Sequence, residues 1–180
     1  FEFITADLVG IGGGGLMHMK TRIYETPAAR WVLSGSLNPG DNAVLNEETL
    51  HLIRHRDVVS RYVGAYEAVL HDDEMRNEWD DQAAVNVLFT PASSERAVGH
   101  VFDWLADEDE QILLMMFSLR DLTAPGHDRS LLELLADKVA DGVDVFVITD
   151  RKQSDGVDSA GNHIMRNDDT EDRLREAGIH

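Results

Sequence analysis

The sequence contains no cysteine in its 180 residues. That absence excludes disulfide bonds, thiolate metal ligands and a cysteine nucleophile. Long apolar runs are absent as well, because none approaches the roughly 20 residues that a bilayer-spanning helix needs. The longest, Ile112 to Phe117, has the length of a buried strand. The first residues show no signal-peptide pattern. We therefore expect a protein that is soluble or peripheral to a membrane, in a compartment that the sequence does not indicate.

Basic residues are scarce, with 16 Lys and Arg against 34 Asp and Glu, which gives a formal net charge of −18. The acidic residues are spread along the chain, as in a solvated surface that keeps a protein in solution. A field of this sign repels polyanions at long range. The composition therefore disfavours nonspecific binding to nucleic acid, and no specific nucleic-acid partner is expected.

The first part of the chain alternates in the manner of strands and ends in a helix. Five glycines within positions 10–15 predict a flexible loop, which precedes a strand and so does not resemble a phosphate-binding turn before a helix. Strands are predicted at 3–9, 16–25, 30–36 and 48–53, with 16–36 forming a hairpin, and a helix capped by Asp57 is predicted from there to about His71.

The second part of the chain follows a polar, acidic stretch at 72–82, which we interpret as a linker. Its pattern predicts a strand at 84–89, a helix capped by Ser93 or Ser94, a strand at 111–118, a helix at 128–140, a strand at 143–149, a loop at 151–167 and a helix at 169–177. The continuous apolar run at 111–118 is typical of a strand covered on both faces. The predicted fold class is α/β, a mixed β-sheet flanked by helices.

Candidate catalytic residues cluster around the predicted hairpin. His18 and Lys20 are two residues apart, so on a strand they share one face. That spacing is weak evidence alone, but Gly35-Ser36-Leu37-Asn38 ends the paired strand, and the hairpin brings Ser36 and Asn38 towards His18. Asn46-Glu47-Glu48 then leads into the next predicted strand. His51 and His55, four apart, lie on a strand and its exit, where a metal pair is not expected.

This ordered set of elements resembles the motif of the phospholipase D superfamily. The family pattern is His-x-Lys, an acidic position that is usually Asp, Gly-Ser/Gly-x-Asn and Asn-x-Glu, and here Glu25 stands at the Asp position. The resemblance implies an incomplete two-repeat domain. Residues 1–76 would be the back half of the first repeat, and 77–180 the front half of the second. The second motif would lie beyond this chain, so the missing repeat halves or a second copy would complete the site.

The resemblance also implies a function: a phosphodiesterase or phosphatidyltransferase, with a phospholipid as the favoured substrate and peripheral contact with a membrane. His18 would be the nucleophile that becomes phosphohistidine, and Glu48 would hydrogen-bond its imidazole. Lys20, Ser36 and Asn38 would hold the phosphate oxygens. Glu25, Gly35 and Asn46 would support these residues. No cofactor and no metal ion are expected, and the 180-residue chain alone is expected to be inactive or nearly so.

Three alternatives stay open. The substitution of Glu25 for Asp and the absence of a second motif are consistent with a catalytically silent phospholipase D-like scaffold or binding domain. A nuclease of the same superfamily would use the same motif, although the acidic surface argues against it. An unrelated α/β binding module would have to match the spacing of residues 16–48 by chance.

Overall fold

The computed structural model describes residues 18–38, 40, 45–71, 73–90, 97–150 and 170–179. The chain divides into two compact units, Phe1–Ala97 and Val98–His180. The strand predicted at 3–9, the glycine loop at 10–15 and the loop at 151–167 lie outside the described residues. The predicted boundary between the two repeats, at residue 76, is a different kind of boundary from the division into compact units. It stays a prediction.

The first unit contains a three-stranded antiparallel sheet in the order β1-β2-β3. Its strands are β1 (Arg22–Glu25), β2 (Arg30–Gly35) and β3 (Leu50–Ile53). The predicted hairpin is confirmed, because β1 pairs with β2 in antiparallel register. The first and third strands begin later than predicted. Residues 18–21 have no ladder pairing, and Thr49 is engaged by the backbone and side chain of Ser36 before β3 begins.

Helix α1 (Arg56–Leu70) packs against β2 on one face of this sheet. Val32 of β2 is completely buried, and the side chains of Val58 and Val59 on the helix are each only 2% exposed. The predicted end of the helix is confirmed, since its C-cap is His71. The predicted cap at Asp57 is wrong. His55 is the N-cap, and Asp57 lies in the first turn, where its carboxylate complements the positive end of the helix dipole.

The segment 73–90 differs from both predictions made for it. It contains no strand at 84–89, and its acidic part is no solvated linker, because Met75 and Asn77 are buried. The Asn77 amide donates to the Phe89 carbonyl at 2.9 Å and accepts from the Phe89 amide at 2.7 Å. A side chain thus satisfies the backbone groups that a neighbouring strand would otherwise pair. Phe89 and Met75 pack with Ala65 of α1 in a small core.

The second unit is built on a parallel pair of strands covered by helices. Its elements are α2 (Ala97–Asp107, beginning at the boundary of the units), β4 (Gln111–Met116), α3 (Leu131–Ala140), β5 (Asp144–Thr149) and α4 (Thr170–Glu176). The α/β class and the order of these elements are confirmed. The single mixed sheet is not found among the described residues, which form one antiparallel and one parallel sheet. None of the described helices is long and apolar enough to cross a membrane.

Helix α3 begins three residues later than predicted because a capping box defines its start. The Ser130 hydroxyl accepts from the Glu133 amide at 3.3 Å, and the Glu133 carboxylate accepts from the Ser130 amide at 2.8 Å. Gly142 follows the helix with a φ of 92°, a left-handed conformation that favours glycine. The predicted end of this helix at residue 140 is confirmed.

Asp121 connects the start of α3 to α4. Its carboxylate accepts from the Leu132 amide at 3.1 Å and from Arg173 Nη1 at 2.8 Å. Partial burial raises the pKa of this carboxyl, but the hydrogen bonds from Leu132, Ser130 and Arg173 outweigh burial and bring the pKa below its usual range. Asp121 is therefore a structural carboxylate that stays ionised.

The parallel pair is covered on one face only. Ile112 and Val145 belong to the core with Leu135 of α3, whereas Leu113 and Met115 are 68% and 73% exposed. Phe117 and Ile148 are exposed as well. The prediction that β4 is covered on both faces is therefore wrong for the described chain. Continuous apolar runs are typical of strands with two covered faces, yet here the residues that point away from α3 meet solvent.

Candidate functional site

The motif residues other than Glu25 lie at the end of the three-stranded sheet where β2 finishes, or beside it. Gly35, the last residue of β2, pairs with Leu50, the first residue of β3. The chain turns away at Ser36, and Glu48 stands two residues before Leu50. Arg22 of β1 lies opposite Leu33, so the His-x-Lys segment enters the sheet beside this same end.

Ser36 and Glu48 are joined directly. The Ser36 hydroxyl donates to Glu48 Oε2 at 2.5 Å and accepts from the Thr49 amide at 2.9 Å. The Ser36 amide donates to the Thr49 carbonyl at 3.0 Å. Asn46 Nδ2 approaches Glu48 Oε1 at 3.5 Å, at the long limit of a hydrogen bond. The third and fourth elements of the motif, Gly-Ser-x-Asn and Asn-x-Glu, are therefore joined by hydrogen bonds, and we call Ser36, Asn46 and Glu48 the Ser36–Glu48 cluster.

Gly35 is required by the close approach of two backbones. A Cβ atom at this position would lie 1.9 Å from the Thr49 carbonyl oxygen and 2.8 Å from its carbon. Both atoms belong to the main chain, so no side-chain rotation would relieve the overlap. The supporting role predicted for Gly35 thus has a physical basis: without a side chain, it lets Ser36 reach Thr49 and Glu48.

The His-x-Lys segment lies beside the hairpin but is not part of the cluster. Thr21 Oγ1 lies 3.3 Å from Ser34 Oγ. Because Thr21 follows Lys20 and Ser34 precedes Gly35, this contact keeps the two motif segments side by side. Lys20 Nζ donates to the His18 carbonyl at 2.6 Å. The His18 side chain is exposed. His18 and Lys20 thus lie in the segment that leads into β1, next to the end of β2.

The predicted hydrogen bond between Glu48 and the His18 imidazole is not formed in the structure. Glu48 instead accepts from Ser36, with Asn46 beside its other oxygen. Ser36 gives its only hydroxyl proton to that carboxylate, so it does not offer a free donor to a phosphate in this arrangement. Its position identifies it as a residue that orients Glu48. The phosphate contacts expected of Lys20, Ser36 and Asn38 stay predictions.

Glu25 lies at the opposite end of the hairpin. It pairs across the strands with Arg30, whose Nη2 and Nε lie 2.5 Å and 2.8 Å from Glu25 Oε1. Both side chains are more than half exposed. The sequence assigns Glu25 a supporting role beside the motif, and the structure gives it a local partner at the turn instead of a contact with the Ser36–Glu48 cluster.

Two features of the site escaped the sequence reasoning. Thr49 supplies both backbone groups that fix Ser36, and nothing in the identity of a threonine signals that role. Leu50 and Leu52 are exposed although they lie in a strand beside the cluster. The alternation of Leu50, His51 and Leu52 could have revealed that one face of β3 is apolar.

Among the residues that the structure describes, no group of three or more histidine, aspartate or glutamate side chains is arranged to hold a metal ion. Comparisons of the chain with protein-family models, with curated proteins and with solved structures gave no match.

Proposed function

We propose that this chain carries one half of the active site of a phospholipase D-like phosphodiesterase or phosphatidyltransferase, with a phospholipid as the favoured substrate. The observation that supports it most is that three of the four spaced motif elements lie at one end of a single sheet, whereas Glu25 lies at the other end. The Ser36–Glu48 hydrogen bond joins two of them, and the Thr21–Ser34 contact holds the third alongside.

His18 is the nucleophile in this mechanism. A neutral imidazole nitrogen attacks phosphorus, so that a nitrogen–phosphorus bond forms and the bond to the leaving oxygen breaks. The leaving alkoxide takes a proton from a general acid, which the second motif of a complete site would supply as another histidine. Water or an alcohol then attacks phosphohistidine and gives its proton to the same second histidine, so that the nitrogen–phosphorus bond breaks, both histidines are restored and the hydrolysed or transferred product is released.

Lys20 and Asn38 stabilise the charge on the non-bridging oxygens. The exposed Asn38 follows Ser36 by two residues, and Lys20 precedes β1 by two residues, so both flank the cluster. Among the described residues, the Lys20 ammonium donates to the His18 carbonyl of its own segment, a neutral acceptor that a dianionic transition state would displace. Preorganised donors of this kind lower the barrier by electrostatic stabilisation.

Glu48 orients and polarises the nucleophile, and Ser36 and Asn46 orient Glu48. A carboxylate has about four acceptor positions, so the bonds to Ser36 and Asn46 leave capacity for the imidazole. An acceptor at one nitrogen fixes the tautomer and raises the basicity of the other, as in catalytic triads.

The covalent intermediate tests this proposal. The protein expressed from its complete reading frame is mixed with a phosphodiester, denatured in base, which preserves phosphohistidine, and digested for mass spectrometry. We expect phosphorylation on His18 or on the partner histidine, and none in the His18→Ala variant. His55→Ala, which alters an exposed helix cap without a side-chain hydrogen bond, is the matched control. Turnover without an adduct on either histidine contradicts the mechanism, and the absence of both turnover and adduct indicates the silent scaffold.

A further inference from the structure

Arg22 is a cation that the proposed mechanism does not use. It is the first residue of β1, its side chain is partly buried, and its Nη1 atom is buried without a hydrogen-bond partner. Arg30 on the paired strand is more exposed and is nevertheless bound to Glu25. A charge removed from water is normally paired, because its lost hydration must be replaced. The guanidinium of Arg22 therefore lacks an anionic partner among the described residues.

The neighbours of Arg22 favour the binding of an anion there. Arg22 pairs with Leu33, and the next pair joins Ile23 to the buried Val32 on the face that α1 covers. Because side chains alternate along a strand, Arg22 lies on the other face. Leu33 on that face is partly buried and has no polar side-chain group. An ion pair beside apolar groups is stronger than one in water, and the arginine fork fits two oxygens of a phosphate or a carboxylate.

Arg22 stands farther along the chain than the residues that act on the reacting phosphate. The Thr21–Ser34 contact continues the register of β1 and β2 by one position towards the candidate site. Lys20 precedes Arg22 by two residues, so the two cations share one side of the segment at a spacing of about 7 Å. By the same spacing, His18 is roughly 13 Å from Arg22. A phosphate at His18 and Lys20 thus leaves Arg22 for a different group of the same ligand.

We infer that Arg22 binds a second anionic group of the substrate, a phosphate or a carboxylate, beside the phosphodiester that reacts at His18. This inference rests on the function proposed above and deepens it, because it makes Arg22 a residue that determines specificity. The net charge of −18 repels a substrate with extra negative charge at long range. Selection of such a substrate must therefore come from local cations, and Arg22 and Lys20 supply two of them side by side.

The test compares inhibitors of bis(p-nitrophenyl) phosphate turnover by the protein expressed from its complete reading frame. Glycerol phosphate carries one anionic group, phosphoglycerate adds a carboxylate, and glycerol bisphosphate adds a phosphate, all on a three-carbon scaffold. We expect at least one of the two compounds with a second anionic group to have a Ki about tenfold below that of glycerol phosphate, the scale of a charge-assisted hydrogen bond. The tighter of the two identifies that group. Arg22→Gln should abolish this advantage and leave the Ki of glycerol phosphate nearly unchanged.

Two controls complete the design. Arg22→Lys retains the charge and should keep part of the advantage, whereas Arg30→Gln removes an exposed arginine of the same hairpin and should keep all of it. If the diester is turned over but the three compounds inhibit equally, or if Arg22→Gln keeps the wild-type ratio of Ki values, the inference is overturned and the proposed function stands. A lower melting temperature of Arg22→Gln with that ratio unchanged would assign Arg22 a structural partner in the complete protein, which also overturns the inference. If the wild type does not turn over the diester, both are overturned.

Discussion

At the scale of single residues, the two glutamates of the motif differ in what holds them. Glu48 is bound to Ser36 at the end of β2, while Glu25 is bound to Arg30 at the turn of the hairpin. The sequence places both in the motif on spacing alone. Only the structure separates them, because hydrogen-bond partners depend on where β2 ends and not on the identity of the residues.

We expect Glu25→Gln to leave catalysis nearly unchanged. An exposed cross-strand ion pair stabilises a protein by only about 0.2–1 kcal/mol. Its loss should therefore lower the melting temperature slightly, and kcat/KM should stay within about twofold of the wild-type value. In the proposed mechanism the same chemical change at Glu48 removes the carboxylate charge that would orient His18, and it should lower kcat/KM by about tenfold or more. Steady-state kinetics of the two variants checks this difference, and equal losses would mean that Glu25 acts in the site.

At the scale of elements, the sequence predicts the helices and buried strands of the second unit well. Helix α3 and strands β4 and β5 follow from apolar periodicity, which reports burial against a core. The predicted start of α3 is wrong by three residues, because its cap at Ser130 depends on Glu133 and not on the nearest acidic residue. Boundaries of this kind are decided by local hydrogen bonds that a periodic pattern does not contain.

The strand predicted at 84–89 fails for a different reason. Its residues have the apolar content of a strand, but the side-chain amide of Asn77 forms hydrogen bonds with both the N–H and the carbonyl of Phe89. A single side chain thus replaces a neighbouring strand. Such a contact joins residues 12 apart in sequence and leaves no trace in local composition.

Gly35 allows the main chains of β2 and of Thr49, just before β3, to approach each other closely at the site. We expect Gly35→Ala to reduce the free energy of unfolding by on the order of 2–4 kcal/mol, because its Cβ overlaps the main chain of Thr49. Gly64→Ala on α1 is the matched control, since no atom lies within 4 Å of its Cβ and alanine favours helix. Thermal melting should therefore fall for Gly35→Ala and hold or rise for Gly64→Ala. A Gly35→Ala protein that melts like the wild type would refute the close approach.

At the scale of the whole molecule, the two compact units have different kinds of open apolar surface. The first unit exposes Leu50 and Leu52 beside a polar cluster, while the second exposes Leu113 and Met115 on a parallel pair. The sequence predicts the α/β class and the described helices and strands of both units, but it also predicts a strand at 84–89 that the described residues do not form. It could not predict which faces are uncovered, because a continuous apolar run such as Ile112 to Phe117 looks the same with one face covered or two.

The proposed reaction should proceed without a divalent metal ion, because Lys20 and Asn38 supply the positive and hydrogen-bonding groups for the phosphate oxygens. We expect the protein from the complete reading frame to retain most of its phosphodiesterase activity in excess EDTA. The assay is repeated after adding back magnesium or zinc. Complete loss in EDTA that either ion restores would rule out the mechanism in its present form.

The most direct measurement is the turnover of the His18→Ala variant of the protein from the complete reading frame. We expect kcat on bis(p-nitrophenyl) phosphate to fall by about a thousandfold or more, the scale of losing a nucleophile. The melting temperature should change little, because His18 is exposed. His55→Ala, at the exposed cap of α1, should retain wild-type turnover. Wild-type turnover by purified, folded His18→Ala protein would contradict the account.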